Sequence, residues 1–171
     1  MKVFSQEELD NLISCPKVIT DAPRRQMRLE RRHKRNDMRL RSADGDLEFT
    51  VFMRINEDFQ ENFSIGLIHV QREERGSLCL FRCNGPHGDF LGGSAPPGSH
   101  FQYHVHRAKV GNLEAGLRAE HGATLSREYA SYRDALTFFL REINVINAFD
   151  FFPELSQPML PLDLPGKETE S

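Results

Sequence analysis

The sequence predicts an α+β fold: an antiparallel meander sheet with a short N-terminal helix and C-terminal helices packed on one face. Two observations lead to this prediction. Apolar residues alternate with polar ones from about residue 24 to 83, which is the period of half-buried strands. On either side of that region, over 5–14 and 132–145, apolar residues recur at helical spacing.

The first helix is predicted over residues 5–14. Ser5 and Glu8 have the spacing of a capping box, and Cys15-Pro16 ends the helix. Its apolar positions are Leu9, Leu12 and Ile13.

The strands follow from the two-residue period. Alternation on both sides of a turn near 34–36 predicts a two-stranded ribbon, and Asp44-Gly45 is a hairpin signal. Short polar connections favour antiparallel neighbours. The next predicted strands are 47–55, 63–71 and 77–83, and a last one is 100–107.

The C-terminal part is predicted to be helical. A short helix is expected at 112–120 with Asn112 as its N-cap, and a longer one at 132–145. The apolar stripe of the longer helix is Ala135, Leu136, Phe139, Leu140 and Ile143. We expect one domain over 1–152 and a proline-rich, largely disordered tail over 153–171.

Composition excludes several classes of protein. The longest apolar runs are too short to span a bilayer, and the first residues lack a signal-peptide core, so a cytoplasmic protein is expected. The three cysteines, Cys15, Cys79 and Cys83, suit reduced thiols better than a disulfide framework.

The charge is unevenly distributed. Residues 24–41 hold nine Lys/Arg against two acidic residues, a net of +7, whereas the rest holds 13 basic and 23 acidic residues, a net of −10. A basic segment on an acidic body predicts a binding surface for nucleic acid; the alternative is a solvated ribbon whose arginines pair with acidic residues. The candidate phosphate-binding residues are Arg24, Arg25, Arg28, Arg31, Arg32, Lys34, Arg35, Arg39 and Arg41.

The best candidate site is the histidine-rich strand 100–107. If these residues are extended, His100, His104 and His106 lie on one face and Phe101, Tyr103 and Val105 on the other. Same-face neighbours on a strand are roughly 7 Å apart, so the rings of His104 and His106 can converge on one small group. The ordinary alternative is a polar, solvent-facing strand of neutral histidines.

A long loop precedes this strand. Residues 84–99 are rich in glycine and proline and include His87, and loops of this length are usually functional or mobile. The loop has no Walker-type Gly-Lys-Ser/Thr, so it is not a nucleotide P-loop.

Residues 80–88, 104–107 and 128–136 resemble a family of small, uncharacterised bacterial proteins associated with mobile elements. In that family a strand ending in Arg-x-x-Gly-x-His precedes a His-x-His strand and a late amphipathic helix. The resemblance spans residues 77–143 and implies a shared fold and a histidine site at His87, His104 and His106.

The leading functional hypothesis is a nucleic-acid-directed protein of a bacterial conflict system, acting as an endoribonuclease that needs no metal. His104 and His106 would serve as base and acid, with His87 nearby and Arg82 or Arg107 steadying the phosphate. A ribose hydroxyl as nucleophile makes RNA the expected substrate.

Two alternatives remain open. The same surface could bind a protein partner without catalysis, as an inhibitor or antitoxin-like partner does. Alternatively, a zinc ion could bind His104 and His106, with a third ligand from His100, His87 or Asp89.

Overall fold

The sheet is the element around which the rest of the fold is arranged. The computed structural model describes residues 3–71, 76–87 and 101–156, and within these ranges eight strands form one antiparallel sheet. The strands are β1 Lys17–Asp21, β2 Arg28–Glu30, β3 His33–Ser42, β4 Glu48–Asn56, β5 Phe63–Gln71, β6 Gly76–Asn84, β7 His104–Arg107 and β8 Thr124–Leu125. Their order is β1-β3-β4-β5-β6-β7-β8, with β2 paired to β3. The meander prediction is confirmed.

Helices cover one face of this sheet. They are α1 Gln6–Ser14, α2 Val110–Glu114, α3 Tyr132–Glu142 and α4 Ala148–Phe151, followed by a 3-10 turn at Pro153–Ser156. Across β3 to β6, Met38, Val51, Leu67 and Phe81 pair in register and are all buried. The Phe81 ring stacks on Phe139 of α3, with centroids 5.8 Å apart. The predicted α+β arrangement, with helices on one face, is confirmed.

Both long helices begin where the sequence predicts them. Ser5 and Glu8 form the reciprocal capping box of α1. Ser131 caps α3 by accepting a hydrogen bond from the Asp134 N–H. The apolar stripes predicted for the two helices are buried in the core. Helix α3 ends before the predicted 145 because Asn144 takes a positive φ of 57°.

Three local predictions are wrong. The strand expected over 100–107 begins only at His104, and residues 101–103 are not part of it. The ribbon turn lies at Arg31–Arg32 rather than near 34–36, and Arg31 has a φ of 57°. The helix expected at 112–120 ends at Glu114, because Gly116 adopts a left-handed conformation with a φ of 71°. Its N-cap is Lys109 instead of Asn112.

Strand β1 has no counterpart among the predicted strands, and it joins both long helices. Lys17, at its start, is fully buried, and its ammonium donates to three backbone carbonyl groups. Two of these belong to the end of α1 and one to the end of α3. Lys17 therefore holds two helix C-termini against the sheet.

Residues 157–171 lie outside the described ranges, so the expectation of a disordered tail stays a prediction. No helix within the described ranges is long and apolar enough to cross a bilayer.

Candidate nucleic-acid interface and histidine cluster

The face of the sheet opposite the core brings the basic segment and the histidines together. Directly paired residues of antiparallel strands share a face, so the register defines rows of side chains across the sheet. One row runs over six strands: Arg28, Arg35, Arg54, Ser64, Asn84 and His104. Neighbouring strands are about 4.8 Å apart, so Arg35 and His104 lie roughly 19 Å apart along this row.

Two further rows of side chains, which follow the first in order along β3, lie on the same face of the sheet. One contains Asp37, Phe52, Gly66, Arg82 and His106. The other contains Arg39, Thr50, Ile68 and Cys79. We call the surface formed by these three rows the arginine–histidine face.

Exposure changes from one end of the arginine–histidine face to the other. Arg39 and Arg54 are exposed, whereas Asn84, His104 and His106 are only 4%, 0% and 6% exposed. The arginine end is therefore open to a ligand, and the histidine end is buried. The ordinary alternative, a solvent-facing strand of histidines, is therefore wrong for His104 and His106.

Three imidazole rings surround the side-chain amide of Asn84. Its Nδ2 atom lies 3.4 Å from Nε2 of His87, 3.2 Å from Nε2 of His104 and 3.5 Å from Nε2 of His106. The Asn84 Oδ1 atom accepts from the Ser64 hydroxyl at 2.8 Å, which orients the amide group. Because an NH₂ group has two hydrogens, it donates to two of the three rings at a time.

The backbone around the cluster is held by Tyr129. Its hydroxyl group donates to the His104 carbonyl oxygen at 2.6 Å and accepts from the Asn84 N–H at 3.2 Å. Gly85 then brings the chain close to β5: a Cβ there would lie 1.7 Å from the Glu61 carbonyl oxygen. Only glycine fits this approach, which sets the position of His87 two residues later.

Backbone carbonyl groups fix the tautomers of the two strand histidines. Nδ1 of His104 lies 2.8 Å from the Gln102 oxygen, and Nδ1 of His106 lies 3.2 Å from the Glu120 oxygen. These Nδ1 atoms are therefore assigned as N–H donors, which leaves each Nε2 as an acceptor facing Asn84.

His106 is uncharged at neutral pH. Burial is the main cause, and the nearby Arg82 and His104 add to it, lowering the pKa of His106 to about 3. At pH 7 its Nε2 atom is a hydrogen-bond acceptor, and His106 is not a proton donor to a substrate.

Arg82 supplies the positive charge of the cluster, and Arg107 does not. Arg82 pairs with His106 across β6 and β7, and its Nε atom is buried without a hydrogen-bond partner among the described residues. Arg107 lies on the opposite, helix-covered face, where its guanidinium sits over Phe81 and 3.9 Å from Asp10. The structure thus separates Arg107 from the histidines.

The predicted phosphate-binding residues are divided between several surfaces. Arg28, Arg35, Arg39 and Arg41 have side chains on the same side of the sheet as the histidines, and Lys34 points to the other side. Arg31 and Arg32 form the β2–β3 turn, and Arg24 and Arg25 lie between β1 and β2.

Acidic residues neutralise part of this basic segment. Glu30 pairs with Arg28 and, at 3.4 Å, with Arg35; Glu48 pairs with Arg41 at 3.3 Å. Arg39 and Arg54 make no ion pair with any described residue. These two exposed guanidinium groups are available to an anionic ligand.

A cleft of about 470 Å³ opens beside these arginines. The residues that define its charge are Arg24, Arg28, Arg35, Arg39, Asp21 and Asp37. The Nε atom of Arg35 is buried here without a hydrogen-bond partner among the described residues. The lining has four guanidinium groups and two carboxylates, and Glu30 pairs with two of the four, Arg28 and Arg35, which leaves a small excess of positive charge suited to a phosphate group.

The described ranges contain no group of three or more His, Cys, Asp or Glu residues arranged to hold a metal ion. At the centre of the three imidazoles lies the Asn84 amide nitrogen. His100 and Asp89, two of the proposed zinc ligands, lie outside the described residues, and zinc binding stays a prediction.

Among the residues of the arginine–histidine face that were not predicted as site residues, Phe52, Arg54 and Asn84 have the contacts most relevant to a site. Phe52 and Arg54 alternate with buried residues along β4, so the sequence could have shown that their side chains lie on the same face of that strand. The alignment of Phe52 and Arg54 with the histidines depends on the register of three strand pairs, which parity alone does not give.

Comparison with protein-family models, with curated proteins and with solved structures finds no match. The resemblance to a mobile-element-associated family therefore stays an expectation.

Proposed function

We propose that this chain is a cytoplasmic protein that binds single-stranded RNA across the arginine–histidine face. The observation that supports the proposal most strongly is the row of Arg28, Arg35 and Arg54, which continues in register to Asn84 and His104. It joins a cationic surface to a cluster of histidines on one side of one sheet.

The chemistry of the two ends suits an RNA strand. Exposed guanidinium groups bind phosphate oxygens, and release of counterions from the nucleic acid supplies much of the affinity. At the other end, His87 is half-buried whereas His104 and His106 are buried, so His87 is the imidazole that a bound strand can reach. A ribose 2′-hydroxyl is a hydrogen-bonding group that DNA lacks, so a contact between it and His87 would favour RNA.

Endoribonuclease activity is the second candidate, favoured by the position of Arg82 beside the imidazoles. A guanidinium group at this place would stabilise the charge that develops on a phosphate during attack by a ribose hydroxyl. His106, buried and with a pKa of about 3, is a poor base, so His87 and His104 would have to supply the general base and the general acid.

Binding is tested by fluorescence anisotropy of a labelled single-stranded RNA at several salt concentrations. If Arg39 and Arg54, the two arginines of this face without an ion pair among the described residues, each neutralise one phosphate, log K should fall with log salt concentration with a slope of about −1.4, since each contact on a single strand contributes about 0.7. A duplex of the same sequence serves as the control ligand and should bind less tightly.

Absence of single-strand binding at low salt, or binding without salt dependence, would contradict the proposal. Running the same RNA on a denaturing gel, after incubation with and without a chelator, tests cleavage. Cleavage in both conditions that is lost in His104→Ala supports the nuclease. Intact RNA in both conditions rejects it, and a stable co-purifying protein without RNA affinity favours a protein-binding role.

A further inference from the structure

Phe52 lies at the centre of the arginine–histidine face. It belongs to β4, in the row that also contains Asp37, Gly66 and Arg82, and its side chain is partly exposed. On one side of it are the exposed arginines, and on the other is the buried histidine cluster. A half-exposed aromatic ring in this position requires an explanation, because the core lies on the other face of the sheet.

The neighbouring strand has a gap that the ring fills. Gly66, directly opposite Phe52 on β5, has no side chain, and a Cβ atom there would lie 2.3 Å from Cε1 and Cζ of Phe52. The ring therefore leans across β5 instead of standing away from the sheet. Any larger residue at position 66 would push the ring out of this position.

A guanidinium group lies over the Phe52 ring, so a base would stack on that guanidinium plane or take its place on the ring. Arg54, two residues along the same strand, has its Cζ atom 5.0 Å from the centroid of Phe52, and Arg54 is exposed. Aromatic rings flanked by cationic side chains are the combination with which proteins hold unpaired nucleobases: the ring stacks on the base, and the cation contacts the base or the adjoining phosphate.

We infer that Phe52 is a base-stacking residue and that, with Arg54, it selects nucleic acid whose bases are unpaired. This inference rests on the proposed function, to which it adds the contact that selects the single strand: at least one splayed base held by Phe52 and Arg54 beside the arginine row. In a duplex the base faces are covered by their neighbours, so a duplex cannot use this ring.

The chain contains no tryptophan, which allows a direct test. Phe52→Trp introduces a single tryptophan that retains an aromatic surface. Addition of single-stranded RNA should quench its emission, with the same midpoint as the anisotropy titration. The matched control is Phe149→Trp, at a residue of α4 that is 59% exposed and adjoins α3 instead of the arginine–histidine face; its emission should not change.

Three further variants measure what the ring contributes. Phe52→Ala and Phe52→Leu should weaken single-strand binding by roughly 5- to 150-fold, the range observed when a stacking aromatic is removed. Gly66→Ala should weaken it as well, by displacing the ring. None of these substitutions removes a charge, so the salt dependence of the remaining binding should match that of the wild type.

The possible results separate this inference from the proposed function. If the wild type binds single-stranded RNA with the expected salt dependence but Phe52→Ala binds equally well, or Phe52→Trp is not quenched, the stacking role is wrong and RNA binding stands. Equal affinity for single strands and duplexes also overturns the stacking role. If the wild type binds no RNA, both the function and the inference are overturned.

Discussion

Between pH 7 and pH 4 the protein should lose about 3 kcal/mol of its free energy of unfolding through His106 alone. The folded state holds the pKa of His106 at about 3, below the ordinary value of 6.5, so the unfolded state binds this proton more readily. The stabilisation is fully present above pH 6.5 and is lost as the pH falls toward 3.

Comparison with His106→Gln isolates this contribution, because carboxylates also titrate in the same range. Urea unfolding followed by circular dichroism at several pH values gives the free energy of each protein. Between pH 6 and pH 4 the free energy of unfolding should fall more steeply with decreasing pH in the wild type than in His106→Gln. The difference in slope should reach about 1.4 kcal/mol per pH unit, which corresponds to the uptake of one proton. Parallel curves for the wild type and His106→Gln would show that the folded protein does not hold His106 neutral and that this side chain is not buried.

Lys17→Met should destabilise the fold by about 3 kcal/mol. The Lys17 ammonium donates to the carbonyl oxygens of Ile13 at 2.7 Å, Cys15 at 2.8 Å and Ile143 at 3.1 Å. Methionine has a similar volume but no donor, so these carbonyl groups lose their partner. The loss is reduced because methionine has no charge to desolvate, whereas burial already lowers the pKa of Lys17.

The matched control is Lys109→Met, at an exposed lysine, which should change the free energy of unfolding by less than about 0.5 kcal/mol. Both variants are measured by urea unfolding at pH 7. Equal stabilities of Lys17→Met and Lys109→Met would mean that the contacts of Lys17 do not hold the two helices.

The fold could be predicted because its signals are local. Alternation in 63–71 and the capping box at Ser5 depend on nearby residues alone, and both elements are where the sequence places them. Strand β1 was not predictable in this way, since its first residue is a lysine whose partners are backbone carbonyl groups of distant helices. Because every residue has a backbone carbonyl group, the sequence does not show which of them a buried lysine will contact.

The candidate site could be predicted only in part. Parity places His104 and His106 on one face, and β7 agrees, but parity does not say which face is buried. The burial of His106 depends on the chain between α2 and β8, where the Glu120 carbonyl oxygen accepts a hydrogen bond from the His106 ring. Equally, Arg54 joins Arg35 only through the β3–β4 register, which the connection around Gly45 determines.

The central claim is that one continuous face, and not the basic segment alone, binds RNA. Arg54 tests it most directly, because it lies outside residues 24–41 but in the same row as Arg35 and His104. The matched control is Arg141→Glu, an exposed arginine of α3 on the helix-covered side with the same charge change.

The decisive measurement is the affinity for single-stranded RNA as a function of salt concentration, for the wild type and both variants. Arg54→Glu should bind more weakly, and the magnitude of its salt slope should be smaller by about 0.7, the contribution of one phosphate contact. Arg141→Glu should match the wild type. Wild-type affinity for Arg54→Glu, or equal weakening in both variants, would contradict a binding surface on the arginine–histidine face.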